Sequence, residues 1–183
     1  MKRPNKKAPP PSSEIRLNRF IANAGVCSRR DADNLISSGQ IKVNGKVMTE
    51  MGFKVKKTDT VEYKGKQLKS QTHQYILLNK PRGFITTTND PQQRKTVMSL
   101  VEKACVERIY PVGRLDRDTS GLLLFTNDGE TAKKLTHPSH KVRKIYQVEL
   151  DRPITKNDFE KILEGITLDD GLAPVNELSL IHI

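Results

Sequence analysis

The chain has 183 residues, of which 35% are hydrophobic and 29% charged, and its net charge is +11. That length suits one ordinary domain or two small ones. No apolar run approaches the ~18 residues that span a bilayer, and the basic N-terminus lacks the apolar stretch of a secretory signal. Membrane insertion and export are therefore unsupported, and the positive charge points to a polyanionic partner, RNA or DNA before an acidic membrane face.

Cys27 and Cys105 are far apart, and neither lies in a metal-type pair, so both are expected to be reduced thiols in a cytoplasmic protein. His137 and His140 are close in sequence but have no third ligand nearby, and no metal site is expected.

Residues 1–13 combine Lys2, Arg3, Lys6 and Lys7 with Pro9-Pro10-Pro11, which reads as a disordered basic tail, either solvated or adding phosphate contacts. Residues 14–63 read as a compact module. Leu17, Phe20, Ile21 and Ala24 recur with helical spacing, and Gly25 stops that helix. Ser28 caps a second helix, with Asp31 three residues on. Ala32, Leu35 and Ile36 form its apolar stripe, and Gly39 ends it. Ile41-Lys42-Val43, an Asn44-Gly45 turn and Lys46-Val47 predict a hairpin. Val55 and Val61-Glu62-Tyr63 suggest two further short strands.

Arg29 and Arg30 fall in the first turn of the second helix, where a cation opposes the positive end of the helix dipole at a cost of a few tenths to ~1 kcal/mol. With the free N–H groups there they form an anion site, which Arg16 and Arg19 extend from the first helix. Ser28, Lys42, Lys80 and Arg117 complete the expected RNA-contacting set.

Residues 64–74 are polar and read as a linker to a second domain, 75–183. Tyr75-Ile76-Leu77-Leu78 predicts a strand, Asn79 to Gly83 a turn, 86–96 an exposed loop, and Thr96 to Glu102 a short helix. Ile109 to Val112 leads into Gly113-Arg114-Leu115-Asp116-Arg117-Asp118-Thr119-Ser120-Gly121, a charged loop ahead of a buried apolar strand, Leu122 to Phe125. Such a loop is either a salt-bridged turn or a site. Asp128 or Thr126 caps a helix through Leu135, Lys144 to Leu150 alternates as a strand, and Thr155 caps a helix to about Glu164. Strands and helices mix without a βαβ repeat, so the class is α+β.

The helix–Gly-x-Cys-Ser-Arg-Arg–helix–Ile-Lys-Val-Asn-Gly pattern resembles the RNA-binding domain of the ribosomal-protein S-four type. Asn79-Lys80-Pro81-Arg82-Gly83, Gly113-Arg114-Leu115-Asp116 with Thr119-Ser120-Gly121-Leu122-Leu123, and Lys144-Ile145-Tyr146 resemble the motifs of the pseudouridine synthases, and the two-domain layout resembles their RsuA/RluB branch. The resemblance implies a small RNA-binding module followed by a mixed, mainly antiparallel-sheet catalytic domain that isomerises a ribosomal RNA uridine, of the large subunit by family analogy. It implies Asp116 as the catalytic carboxylate, Arg114 as its partner and as a filler of the space left by the extruded base, and Tyr146 as the aromatic that stacks on uracil. On spacing alone Asp118 rivals Asp116, or caps the Thr119-Ser120-Gly121 turn. Lys80 is structural or faces phosphate.

No cofactor is implied, and a cytoplasmic monomer is expected. The family's motif beyond the last helix is absent before Ile183, so the resemblance predicts a C-terminally truncated catalytic domain with weak or no activity. The competing function is a non-catalytic ribosomal RNA-binding protein with a degenerate or truncated synthase domain. Metal-dependent phosphodiester cleavage by Asp116 and Asp118 lacks a ligand cluster.

Overall fold

The computed structural model describes residues 14–169 and 171–181. The basic tail expected at 1–13 lies outside them. The chain forms two compact units that divide at Val142/Arg143.

The first unit begins with β1 (Ile15–Arg16), α1 (Leu17–Asn23) and α2 (Arg29–Ser37). Both helices stop as their glycines predict. Gly25 has φ of 77°, its N–H donates to Ala22 O, and that of Val26 donates to Ile21 O. Gly39 has φ of 71°, with Gly39 N–H to Ile36 O and Gln40 N–H to Leu35 O. This is the same left-handed C-terminal cap made twice. At the start of α2, Ser28 Oγ accepts the Asp31 N–H at 3.2 Å and donates to Asp31 Oδ2 at 2.6 Å.

Five short strands follow: β2 (Ile41–Val43), β3 (Lys46–Val47), β4 (Lys54–Val55), β5 (Val61–Tyr63) and β6 (Lys66–Gln67). They form an antiparallel sheet in the order β3-β2-β5-β6 and a separate β1-β4 pair. Leu17, Ile21, Ala32, Ile36, Ile41, Val43, Val55 and Val61 close one core between the helices and these strands.

The polar stretch 64–74 differs from the expected linker. Lys64 and Gly65 both have positive φ, 49° and 74°, the geometry of a tight hairpin turn, and β6 returns along β5. Leu68 packs on the core, the Gln71 N–H donates to Asn23 O, and Asn127 ties down both Thr72 O and the Gln74 N–H. Most of these polar side chains are exposed while much of the backbone is hydrogen-bonded, so composition alone disguises the strand.

β7 (Tyr75–Lys80) is longer than the strand expected and absorbs Asn79 and Lys80, so the turn is confined to 81–83. α3 (Met98–Val101), β8 (Tyr110–Val112), β9 (Gly121–Thr126) and α4 (Gly129–Thr136) complete the unit. The sheet order is β7-β9-β8, antiparallel throughout, with Lys80 opposite Gly121 and Tyr75 opposite Thr126. Val97, Val101, Ile109, Leu123 and Phe125 form its core. The apolar run in β9 is buried on one face only: Leu123 and Phe125 point inward, whereas Leu122 is 73% exposed.

The second unit, described over 143–169 and 171–181, holds α5 (Lys156–Glu164), capped by Thr155, and the hairpin β10 (Ile166–Leu168) and β11 (Gly171–Ala173). The strand expected over Lys144 to Leu150 does not form, and residues 141–150 carry no regular structure. Alternation marks a strand only where a neighbour takes its backbone hydrogen bonds, and none of the described ladders includes this segment. The α+β class and mainly antiparallel sheets are as expected. Among the described residues no helix is long and apolar enough to cross a membrane.

Asp128 links β7 to α4. It caps the helix through the N–H groups of Glu130 and Thr131 and accepts the Thr131 and Tyr75 hydroxyls. Burial alone would raise its pKa, but these hydrogen bonds hold it well below the usual carboxylate range. The lowered folded value means that this stabilisation is complete above the unfolded aspartate value near pH ~4 and drains away as pH falls below it. Asp128→Ala is expected to lose about 2 kcal/mol at pH 7, by the cap and the tyrosine bond together. Urea unfolding should also show a shallower loss of stability for the variant than for the parent between about pH 4 and pH 2.

Candidate active site

The pleat of β7 places Ile76, Leu78 and Lys80 on one face, against Phe125, Leu123 and Gly121 of β9. Lys80 is thereby driven into the interior and is 0% exposed. Its ammonium donates to Asp116 O and Thr119 O at 2.8 Å, and to Pro81 O and Arg117 O at 3.2 Å. Burial pushes its pKa below the usual lysine value, and the nearby Asp118 and Asp116 carboxylates oppose that shift. Of the two readings for Lys80, structural or facing phosphate, the geometry fits the structural one: it is enclosed, and its donors are spent on the loop that carries Asp116.

Four further hydrogen bonds fix that loop. The Gly83 N–H donates to Arg117 O at 2.8 Å, and the Thr119 N–H to Asp116 O at 3.2 Å. Thr86 then bonds Leu115 in both senses: its hydroxyl donates to Leu115 O at 2.6 Å and accepts the Leu115 N–H at 3.2 Å. Backbone groups on both sides of Asp116 are therefore anchored, while its side chain is exposed.

Asp116 opens into a cleft of about 460 Å³ whose lining includes Thr86, Asp90, Arg94, Arg114 and Arg117. Arg94 grips Asp90 with two side-chain hydrogen bonds of 2.7 and 3.0 Å, and this pair draws the Asp90 pKa down to about 2. The 86–96 loop is thus a braced wall rather than a loose strap. Among the described residues no ion pair joins Arg114 to Asp116, although both line the cleft. Asp118 does not line it and accepts no hydrogen bond among the described residues, so the turn-capping alternative is not realised.

The expected RNA-contacting residues divide. Arg16, Arg29, Arg30, Lys42 and Arg117 are exposed. Arg19 is turned toward α4 and forms an ion pair with Glu130, so it does not extend an open phosphate face. The Ser28 hydroxyl is occupied by Asp31. Tyr146, expected at the uracil, belongs to the second unit and is 65% exposed in a segment without regular structure. Sequence reasoning missed Thr86 and the Asp90–Arg94 pair. The i,i+4 spacing of Asp90 and Arg94 was visible, but nothing in the sequence announced that Thr86 meets Leu115. Among the described residues no group of three or more His, Cys, Asp or Glu side chains is placed to hold a metal ion.

A family model described as RNA pseudouridylate synthase matches residues 74–177, more than half of the chain. The chain belongs to that family. An S4 domain model matches residues 15–61. Among curated relatives, ribosomal large subunit pseudouridine synthase B of Bacillus subtilis (strain 168) is 47% identical over 156 residues, which cover 85% of this chain and 64% of the relative. An uncharacterised RNA pseudouridine synthase of Aquifex aeolicus is 42% identical over 171 residues, 92% of this chain and 68% of the relative. The chain spans about two thirds of the length of these relatives. A crystal structure of a pseudouridylate synthase superposes with a TM-score of 0.59 at 28% identity, covering 92% of this chain and 73% of that one.

Replacing Thr86 by valine keeps its shape but orphans both backbone groups of Leu115. A loss of about 1–3 kcal/mol is expected, with Thr86→Ser close to the parent. Chemical denaturation of the three proteins checks this, and equal stability for all of them would contradict it.

Proposed function

We propose that this synthase family member isomerises a uridine in ribosomal RNA to pseudouridine, with Asp116 as the carboxylate that acts at the ribose. The observation that carries this reading is the setting of Asp116. Its backbone neighbours are held by Lys80 and Thr86, and its side chain projects into an open cleft bordered by Arg114 and Arg117. The name of the Bacillus subtilis relative favours the large ribosomal subunit. A ribosomal RNA modifier of this kind works in the cytoplasm.

The reaction breaks the N1–C1′ bond, turns the uracil and joins C5 to C1′. N1 gains a proton and C5 loses one, so there is no net redox change. The group required is an ionised carboxylate, acting either as a nucleophile at C1′ or as a base toward the C2′ proton. A uridine stacked within paired RNA cannot bring its base and C1′ to Asp116, so it must leave the stack at a cost of a few kcal/mol. Phosphate contacts by a protein of net charge +11 offset that cost. Arg114, beside the carboxylate, is suited to fill the vacated space. Tyr146 is assigned by its Lys-Ile-Tyr motif to stack on the uracil.

A non-catalytic RNA-binding role is the rival, favoured by the exposed, unstructured setting of Tyr146. Mapping pseudouridines in ribosomal RNA separates the two. Cells carrying the intact gene should show one modified uridine that is absent after deletion. Asp116→Ala should lower its formation by about 10²–10⁴-fold or more, with RNA binding retained. Unchanged modification in the Asp116 variant, or identical maps with and without the gene, would refute the isomerase reading.

A further inference from the structure

The first unit contains a second cleft, between the two-helix face and the β8–α4 edge of the synthase sheet, which reaches Thr88 of the loop that walls the Asp116 cleft. Its volume is about 420 Å³, within the roughly 300–1,000 Å³ range of ligand clefts. Ser28 and Arg29 of α2, and Asn23 at the end of α1, border it on one side. Arg108, Tyr110 and Gly129 border it on the other.

The two sides are in close contact. A methyl group added at Gly129 would lie 3.2 Å from the Tyr110 hydroxyl and 3.5 Å from the Arg29 guanidinium, so the bare glycine is what admits both. Arg108 acts on both sides at once: its charge opposes the burial-driven rise in pKa of Cys27, next to α2, and of Tyr110 in β8.

Among the described residues the arginines of this cleft are not paired, although the Asp31 and Asp128 charges are felt at its edges. Nearby carboxylates are already committed: Glu130 to Arg19, Asp31 to Ser28, and Asp128 to the start of α4 and Tyr75. Among the described residues neither Arg29 nor Arg108 has a carboxylate partner. Two guanidiniums around one opening, neither held in such an ion pair, are each free to donate charge-assisted hydrogen bonds to an anion's oxygens. The phenol of Tyr110 and the amide of Asn23, which also line the cleft, suit a hydrogen-bonding anion with a polar neighbour, as a nucleotide backbone provides.

We propose that this cleft holds one phosphodiester of the RNA backbone, clamped between Arg29 of the N-terminal module and Arg108 of the synthase part. The inference rests on the RNA-acting reading above and adds a location: one phosphate shared by both modules, which registers the bound RNA against the catalytic sheet. Arg108 carried no signal in the sequence, because it stands alone between Glu107 and Ile109 rather than in a basic cluster.

The test is the salt dependence of binding by the whole chain to a synthetic RNA hairpin across a range of KCl concentrations. Arg29→Ala and Arg108→Ala should each flatten the slope of log K against log[KCl] by about 0.9, the loss of one phosphate contact. The double variant should flatten it by no more than about the same amount, because both arginines serve one phosphate. Arg29→Lys and Arg108→Lys should keep the parental slope, which separates charge from folding damage. An unchanged slope for Arg108→Ala, or two losses that add in the double variant, overturns the shared site. Pseudouridine formation is not read here, so failure of the isomerase reading leaves the result standing. A parent chain that binds no hairpin at all would overturn the RNA reading itself.

Discussion

A single buried ammonium holds the Asp116 loop together. Lys80 reaches the interior because strand periodicity leaves it no other direction, and once there it must find acceptors. It finds them in the carbonyls of Pro81, Asp116, Arg117 and Thr119. The carbonyls gain as well, although two of them have a second donor: Asp116 O also accepts the Thr119 N–H, and Arg117 O the Gly83 N–H. The desolvation that pushes the Lys80 pKa down is the measure of what this arrangement costs, and the four acceptors with the Asp116 and Asp118 charges offset it.

The rest of the site is layered on that anchor. Thr86 pins the residue before Asp116, the Asp90–Arg94 pair stiffens the wall opposite, and the Gly83–Arg117 bond closes the turn beneath. Apart from the Asp90–Arg94 side-chain pair, these constraints act on the backbone of the loop, which leaves the Asp116 side chain as the part free to meet a ligand.

The fold was legible where local chemistry has one solution. Gly25 and Gly39, Ser28, Asn44-Gly45, Asp128 and Thr155 each marked a boundary that the structure places there, because a left-handed residue or a helix N-cap admits few residue types. It was illegible where the evidence is backbone pairing between polar residues. Lys66–Gln67 read as linker, although Lys64-Gly65 was a turn signal in plain view. Lys144 to Leu150 read as a strand from alternation, yet alternation specifies a face and cannot supply a neighbour. At the site, the loop around Asp116 stood out by composition. The inward turn of Lys80 followed from β7 being two residues longer than its apolar core, and Thr86 was invisible because its contact spans 29 residues of chain.

The central claim is that Lys80 is the internal anchor of the Asp116 loop. Native-state hydrogen exchange of Lys80→Met, which keeps the volume but removes every donor, tests it most directly. The amides of Gly83, Leu115 and Thr119 should exchange about 10²-fold faster, the equivalent of roughly 2–3 kcal/mol lost by orphaned carbonyls, while Ala32 and Ile36 in α2 keep their protection. Unchanged exchange at those three loop amides would contradict the account.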